Sequence, residues 1–385
     1  MGGEGLEPPK ALRPADLQSA ALAAKRPAQD LKHYSAAREA GLGTPEPCPS
    51  IARHEKVSLV APVTIRPFTK TDYPAFVDVW NAIFEDYPIS ERFARHEDAR
   101  YDGERYLLRR FVAESVGAVT GTAELHHATH MYHPRKFFLE VRVRAEFQAR
   151  GIGTALYDHL AGEVAALRPL TLWATVRETM ERSMTFAEHR GFRESRRAWE
   201  SRLDVRRFDP RPFQPKADET VRDVQVVTVA SEQTADPQWL EKLHDLHTAV
   251  AADIPQPVPY TPMTVEELRR RWLDHPEYLP DGHLLAKDGD RYVAESNLFL
   301  PDDPPGVLYQ GITGTRRDYR GRGVALALKL RTIEYARSHG KREIRTWNDT
   351  LNEPMLAINV KLGFVRQPAW ITYEKVLDHD EGGHG

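Results

Sequence analysis

The chain has 385 residues, 41% apolar and 28% charged, with a formal net charge of −3. That is long enough for two ordinary domains, each with a core, and it gives no polybasic field for nucleic acid or an anionic membrane. A single cysteine, Cys48, excludes an intrachain disulfide framework and a cysteine metal site, and no apolar run approaches 18 residues.

Residues 1–60, opening MGGEGLEPPKALRPADLQ, carry Gly and Pro at short spacings without a sustained apolar period. They are expected to be a disordered extension or a misplaced start, the native chain then beginning nearer Val57. No signal-peptide pattern is present, so the expected compartment is the cytoplasm.

The first half, 61–205, opens with an alternating strand at Val63-Thr64-Ile65-Arg66-Pro67. Thr71-Asp72 starts a helix with Phe76, Val79, Trp80 and Ile83 on one face. Strands are predicted at 105–113, 118–126 and 137–143. Ile152, Leu156, Leu160 and Val164 recur every four residues and predict a helix, followed by a strand over 170–176 and a short helix ending in Arg190-Gly191-Phe192. A linker follows over 206–223, with three prolines, mixed charge and no period. The second half, 224–378, repeats the order: strand 224–229, helix 237–252, strands 291–299 and 307–315, a helix through Leu326, Leu330 and Ile333, a strand over 343–347, and Leu362-Gly363-Phe364. Residues 379–385 read as a tail.

The repeat is in register. Gly151 matches Gly323 and Gly191-Phe192 matches Gly363-Phe364, both at an offset of 172. At the first landmark the two segments run Val143 to Thr154, with Gln148, Arg150, Gly151, Ile152 and Gly153, and Thr315 to Ala325, with Arg320, Gly321, Arg322, Gly323 and Val324. Each is a strand, a short basic turn and the start of an amphipathic helix. The first N–H groups of a helix are unpaired and lie at the positive end of its dipole, so a diphosphate there receives several hydrogen bonds, and small residues let it approach. Arg150, or Arg320 and Arg322, adds charge at the rim. One such turn taken alone fits many phosphate ligands, or none. Neither the Lys-Ser/Thr pair of a nucleoside triphosphate loop nor a G-x-G-x-x-G is present.

With these residues in view, both segments resemble the acetyl-coenzyme A signature of the GNAT superfamily, over about 61–203 and 224–376. The second half, with Thr346-Trp347-Asn348, Asn352, Met355, Asn359 and Leu362-Gly363-Phe364, is similar to the C-terminal halves of tandem GNAT proteins, a group that includes mycothiol synthase. The resemblance implies an α/β (α+β) class, two GNAT folds in tandem. Each would have a mixed, mostly antiparallel sheet that splays between its fourth and fifth strands to admit the pantetheine arm of acetyl-coenzyme A, the co-substrate. It also implies a monomer whose halves pair as subunits do in single-domain relatives.

Acetyl transfer to an amine needs a base or water relay for the ammonium proton, an N–H for the oxyanion and an acid for the thiolate. The family tyrosine that commonly supplies the acid is matched by Ala187 and Asn359, and the asparagine that touches pantetheine by Met180 and Asn352. On that count the second half is the expected catalytic one, with Asn352, Asn359 and Glu295 as candidates, Glu295 being either a base or a solvated strand-face charge. Glu140, on the first half's splay strand, is the rival base. His126, His127, His130 and His133 read as a substrate-contacting or solvated loop rather than a metal site. Asp86-Tyr87-Pro88 and Asp253-Ile254-Pro255 read as acceptor-cleft residues or helix stops, and Trp80, Trp173 and Trp347 as core. The leading function is N-acetylation of a small-molecule amine. The alternatives are an acetyl-coenzyme A sensor and a peptide or protein N-acetyltransferase.

Overall fold

The computed structural model describes residues 62–377 except 100, 116, 221, 256–257, 276 and 302–303. The expectations for 1–60 and for the tail lie outside the described residues. The first half runs β1 (Thr64–Pro67), α1 (Tyr73–Ile83), α2 (Glu91–Ala99), β2 (Leu108–Ser115), β3 (Ala118–His126), β4 (Lys136–Val143), α3 (Ile152–Ala165), β5 (Thr171–Arg177), α4 (Glu181–Glu188) and β6 (Arg193–Asp204). The segment expected to be an irregular linker contains a helix, α5 (Gln214–Thr220). The second half runs β7 (Gln225–Thr228), α6 (Val229–Ala235), α7 (Trp239–Ala251), α8 (Val265–Leu268), β8 (Tyr278–Asp288), β9 (Arg291–Phe299), β10 (Val307–Thr315), α9 (Val324–Ser338), β11 (Glu343–Asp349), α10 (Glu353–Lys361), β12 (Val365–Arg366) and β13 (Trp370–Val376).

The strands form one sheet in the order β1-β2-β3-β4-β5-β13-β6-β11-β10-β9-β8-β7, with β12 beside β6. The two halves have exchanged their last long strands. β13, from the end of the second half, lies antiparallel between β5 and β6, with Trp370 opposite Arg177 and Val376 opposite Thr171. β6, from the first half, in turn pairs with β11 from Glu343–Asp204 to Asp349–Ala198. The parallel contacts are β4 with β5 and β10 with β11, and each is short. β4 and β5 pair only at Lys136–Thr171, Phe137–Leu172 and Phe138–Trp173, and β10 and β11 only from Val307–Glu343 to Tyr309–Arg345. Beyond those points the strands part, and their facing backbone groups lack a strand partner.

Helix α3 shows how the sequence fixes this. Its period-four residues Ile152, Leu156, Leu160 and Val164 are all at most 2% exposed and pack with Phe111, Leu125, Leu139 and Leu172 of the sheet. Each such side chain removed from water contributes about 1.5–3 kcal/mol. In β4 the alternation of a strand puts Leu139, Val141 and Val143 on this α3 side and Glu140 and Arg142 on the other, beneath α1.

Candidate active site

The first glycine turn is open. Gly151 starts α3 in the left-handed region, φ 83°, and apart from its chain neighbours and the helix's own backbone nothing lies within 4 Å of where a Cβ would stand. Gln148 Nε2 donates to the Val143 carbonyl at 3.0 Å, folding the turn back on its strand. Arg150 lies 5.4 Å over the Phe147 ring and, after a hydrogen bond from the Glu146 backbone and together with Arg144, helps hold the exposed Glu146 carboxyl below its ordinary pKa. Arg190 donates to Thr154 Oγ1 at 2.8 Å and rests 3.4 Å over Phe186, so a second guanidinium reaches the start of α3.

From this turn a cleft of about 820 Å³ runs into the splay between β4 and β5. Gln148, Gly151, Gly153 and Thr154 line its mouth, Val143, Met180, Phe186 and Ala187 its middle, and Glu140, Arg142, Trp80 and Trp370 its inner end. The donor-rich turn, the unpaired strand edges and an apolar channel between them fit a diphosphate followed by an extended amide-bearing arm.

Glu140 sits where the cleft meets α1. Its carboxylate pairs with Arg142 and accepts from His126 Nε2 at 3.3 Å. Arg142 also reaches the fully buried Glu124 at 3.3 Å; Arg110 bridges Glu124 at 3.0 Å and Asp98. This alternating chain of charges compensates every buried ion and fixes the Glu140 side chain. Tyr87 lines the same end but is tied to Glu200. Burial, and then the Glu200 carboxylate, hold its phenol above the ordinary value, so it stays protonated at neutral pH.

The second turn has the same backbone and different surroundings. Gly323 starts α9 at φ 87°, and Arg320 Nε donates to the Thr315 carbonyl at 3.1 Å, as Gln148 does in the first half. But Thr220 of α5 lies against it: its Oγ1 is 2.8 Å from a Cβ built on Gly323 and donates to the Arg322 carbonyl at 3.1 Å. Arg317 and Arg320 are both paired with Asp253, and Arg322 donates to the Asp318 carbonyl. Further in, Val250 of α7 fills the space that a side chain at Gly314 would need. Val324 is buried and packs with Leu328, and Ala325 follows it in the first turn of α9.

The candidates of the second half are placed as follows. Glu295 is fully buried between His247 Nδ1 and His283 Nε2, each at 3.1 Å. Burial alone would raise its pKa; the two imidazole contacts outweigh that and bring it down to about 2. Tyr278 hydrogen-bonds the far nitrogen of His283 at 2.8 Å, so Glu295 belongs to a closed Tyr–His–Glu–His network and is not a solvated strand-face charge. Asn352 caps α10, its side chain accepting from Met355 N at 3.4 Å. Asn359 is buried and donates to Asn348 Oδ1 at 2.6 Å.

Two expectations need correcting. Trp80, read as core, is half-buried and lines the cleft. The histidine loop is not solvated: His126, His127 and His130 are buried, with His126 stacked on Phe138 and His127 on Phe137. Residues that local motifs did not flag are Phe84, Phe186, Arg190 and Trp370. Arg190 had a signal, standing directly before the Gly191-Phe192 landmark. Trp370 had none, because it reaches the first half only through the strand exchange.

The acetyltransferase (GNAT) family model matches residues 73–192 and again 243–364. The chain is 25% identical over 251 residues to a mycothiol acetyltransferase of Thermobifida fusca, covering 62% of this chain and 74% of that one. It is also 25% identical over 307 residues to a mycothiol acetyltransferase of Acidothermus cellulolyticus, covering 75% and 85%. A tandem GNAT protein from the clavulanic acid biosynthesis pathway superposes with a TM-score of 0.64 at 19% identity, over 83% of this chain and all of that one; at that identity the likeness is one of fold. Among the described residues no helix is long and apolar enough to cross a membrane. With two family matches that together span more than half of the sequence, the chain belongs to the GNAT family, as a tandem of two such folds that works as an acyltransferase with acetyl-coenzyme A as co-substrate.

Proposed function

We propose that the protein is an N-acetyltransferase for a small-molecule primary amine, with one acetyl-coenzyme A site, in the first half. The observation that carries this is the contrast between the turns: open space at Gly151 leading into a cleft that ends at Glu140, against Thr220 and Asp253 packed onto the second turn. The reading reverses the preference drawn from Asn352 and Asn359, which are occupied with a helix cap and a buried amide pair. Nothing in it needs the second half to turn over.

In this reading Gln148, Arg150, Gly151, Gly153 and Thr154 hold the diphosphate. Glu140 anchors the substrate ammonium and takes one of its protons. The amine nitrogen then bonds to the acetyl carbon as the carbon–sulfur bond breaks. The second proton leaves the nitrogen as the amide forms and goes to the departing thiolate through water, since Ala187 stands where a tyrosine would serve. Backbone N–H groups of the unpaired edge of β4 are the donors available to the oxyanion. The small-amine acceptor follows from the depth of Glu140, beneath α1 at the inner end of the cleft.

The test is stoichiometric. Calorimetry is expected to give one acetyl-coenzyme A per chain, lost in Gly151→Glu and kept in Gly323→Glu, with circular dichroism confirming that both variants fold. Each variant puts a carboxylate at a left-handed glycine, so the backbone strain is matched. Two bound molecules, or the opposite dependence, would refute the single first-half site.

A further inference from the structure

The α1 face of the inner cleft is walled by rings. Trp80 on α1 and Phe84, the residue that caps its C-terminus, have ring centroids 4.9 Å apart; Phe84 lies 5.7 Å from Trp370, and Trp370 lies 5.6 Å from Tyr87. All four line the cleft, with Ile83 between them. Trp80 and Phe84 are only half-buried, so part of each ring is left uncovered by the chain. Trp370 belongs on this face by strand alternation: its neighbour Ile371 points into the α3-side core, and Trp370 itself packs with Tyr87 on the α1 side. Glu140 projects from β4 toward the same face.

The charges around these rings narrow what can lie there. Glu140 is the acidic group at this inner end, and Arg142 is already paired with it and sits 4.6 Å over Trp80. Arg177 stands behind the rings, 5.3 Å from the Tyr87 centroid and 5.8 Å from that of Trp370. A single ammonium finds one carboxylate; a second ammonium on the same molecule meets two guanidiniums. A sugar amine brings hydroxyls that need partners, and an aromatic wall supplies few. A flat apolar body has the opposite fit, since ring-on-ring contact is what four aromatic side chains offer.

Resting on the first-half reading above, we infer that the acceptor is an arylalkylamine, a primary amine carried one to three carbons from an aromatic ring. The ring inserts among Trp80, Phe84 and Trp370, and the ammonium reaches Glu140.

The full chain is assayed for thiol release from acetyl-coenzyme A with phenethylamine, tryptamine, spermidine, glucosamine and a lysine-containing peptide. The expected result is a kcat/KM for an aromatic amine about tenfold or more above the other three. Phe84→Ala is expected to raise the KM for that amine by about tenfold while leaving the KM for acetyl-coenzyme A within about twofold. Phe84→Leu, which keeps much of the apolar bulk and loses the ring, is expected to fall between wild type and Phe84→Ala, and guards against a folding defect in the alanine variant. Faster turnover of spermidine, glucosamine or the peptide, or no turnover of either aromatic amine, overturns the inference. Gly151-dependent binding of acetyl-coenzyme A alongside such a result would leave the first-half site standing and remove only the aromatic acceptor. Loss of that dependence would remove both.

Discussion

Replacing Lys329 by Met is expected to stabilise the protein. Lys329 lies on α9, 172 positions after Tyr157, which lines the cleft of the first half. In the second half that place is sealed: Lys329 is 1% exposed. Its ammonium sits 5.0 Å over the Phe364 ring, with no carboxylate partner among the described residues. Burial pushes its pKa from 10.5 down to about 7. At about 1.4 kcal/mol per unit, that displacement corresponds to a ceiling of about 4–5 kcal/mol of destabilisation at pH 7, reduced by whatever water the site admits. Methionine keeps the length of the stem and discards the charge. Between pH 7 and 10.5 the unfolded chain holds the lysine proton and the folded chain does not, so wild-type stability rises with pH across that window. The advantage of Lys329→Met is therefore largest at pH 7 or below and vanishes near 10.5. Urea unfolding of both proteins at pH 7, 8, 9 and 10 measures it. A methionine variant less stable at pH 7, or a gap that does not shrink with pH, would refute the reasoning.

Glu140→Gln keeps the size of the side chain and removes the proton acceptor; kcat/KM for the amine is expected to fall about 100-fold or more, with the acetyl-coenzyme A affinity unchanged in calorimetry. Glu295→Gln breaks the contacts of a fully buried carboxylate whose pKa is brought down to about 2 from 4.5, and is expected to cost about 3 kcal/mol at neutral pH. Because the lowered pKa belongs to the folded state, that contribution is present above pH 4.5 and lost as the pH falls toward 2. The gap between the two proteins in denaturation midpoint should narrow from pH 7 to pH 3 to less than half, and an unchanged gap would count against the network's role.

Much of the fold is written in local periodicity. The four-residue spacing from Ile152 to Val164 gives α3 and its buried face, and the offset of 172 between glycine landmarks gives the duplication before any partner is known. The glycine turns are legible for the same reason: a left-handed residue before a helix leaves a mark on the residue type. What decides between the turns is not local. Thr220 lies about a hundred positions before Gly323, and Val250 reaches Gly314 from a different helix, so neither contact leaves a mark on the motif it covers. The polar residues after each turn favour the second half, whereas the space around the turns favours the first. The exchange of β6 and β13 was also hidden, because alternation tells which face a strand buries but not which neighbour it takes.

The exchange has a consequence for how the protein is made. The indole N–H of Trp173 donates to the Glu374 carboxylate at 3.0 Å, across 201 positions of chain. At bacterial-to-eukaryotic translation speeds of about 5–20 residues per second, β5 waits about 10–40 s for the strand that covers it. During that interval β5 is an uncovered edge carrying Leu172, Trp173 and Val176, with an unpaired ladder open to any other strand. The first half is made first and finished last. A ribosome that stalls within the second half therefore leaves a nascent chain with a sticky β-edge and no wall of Trp370 at its cleft.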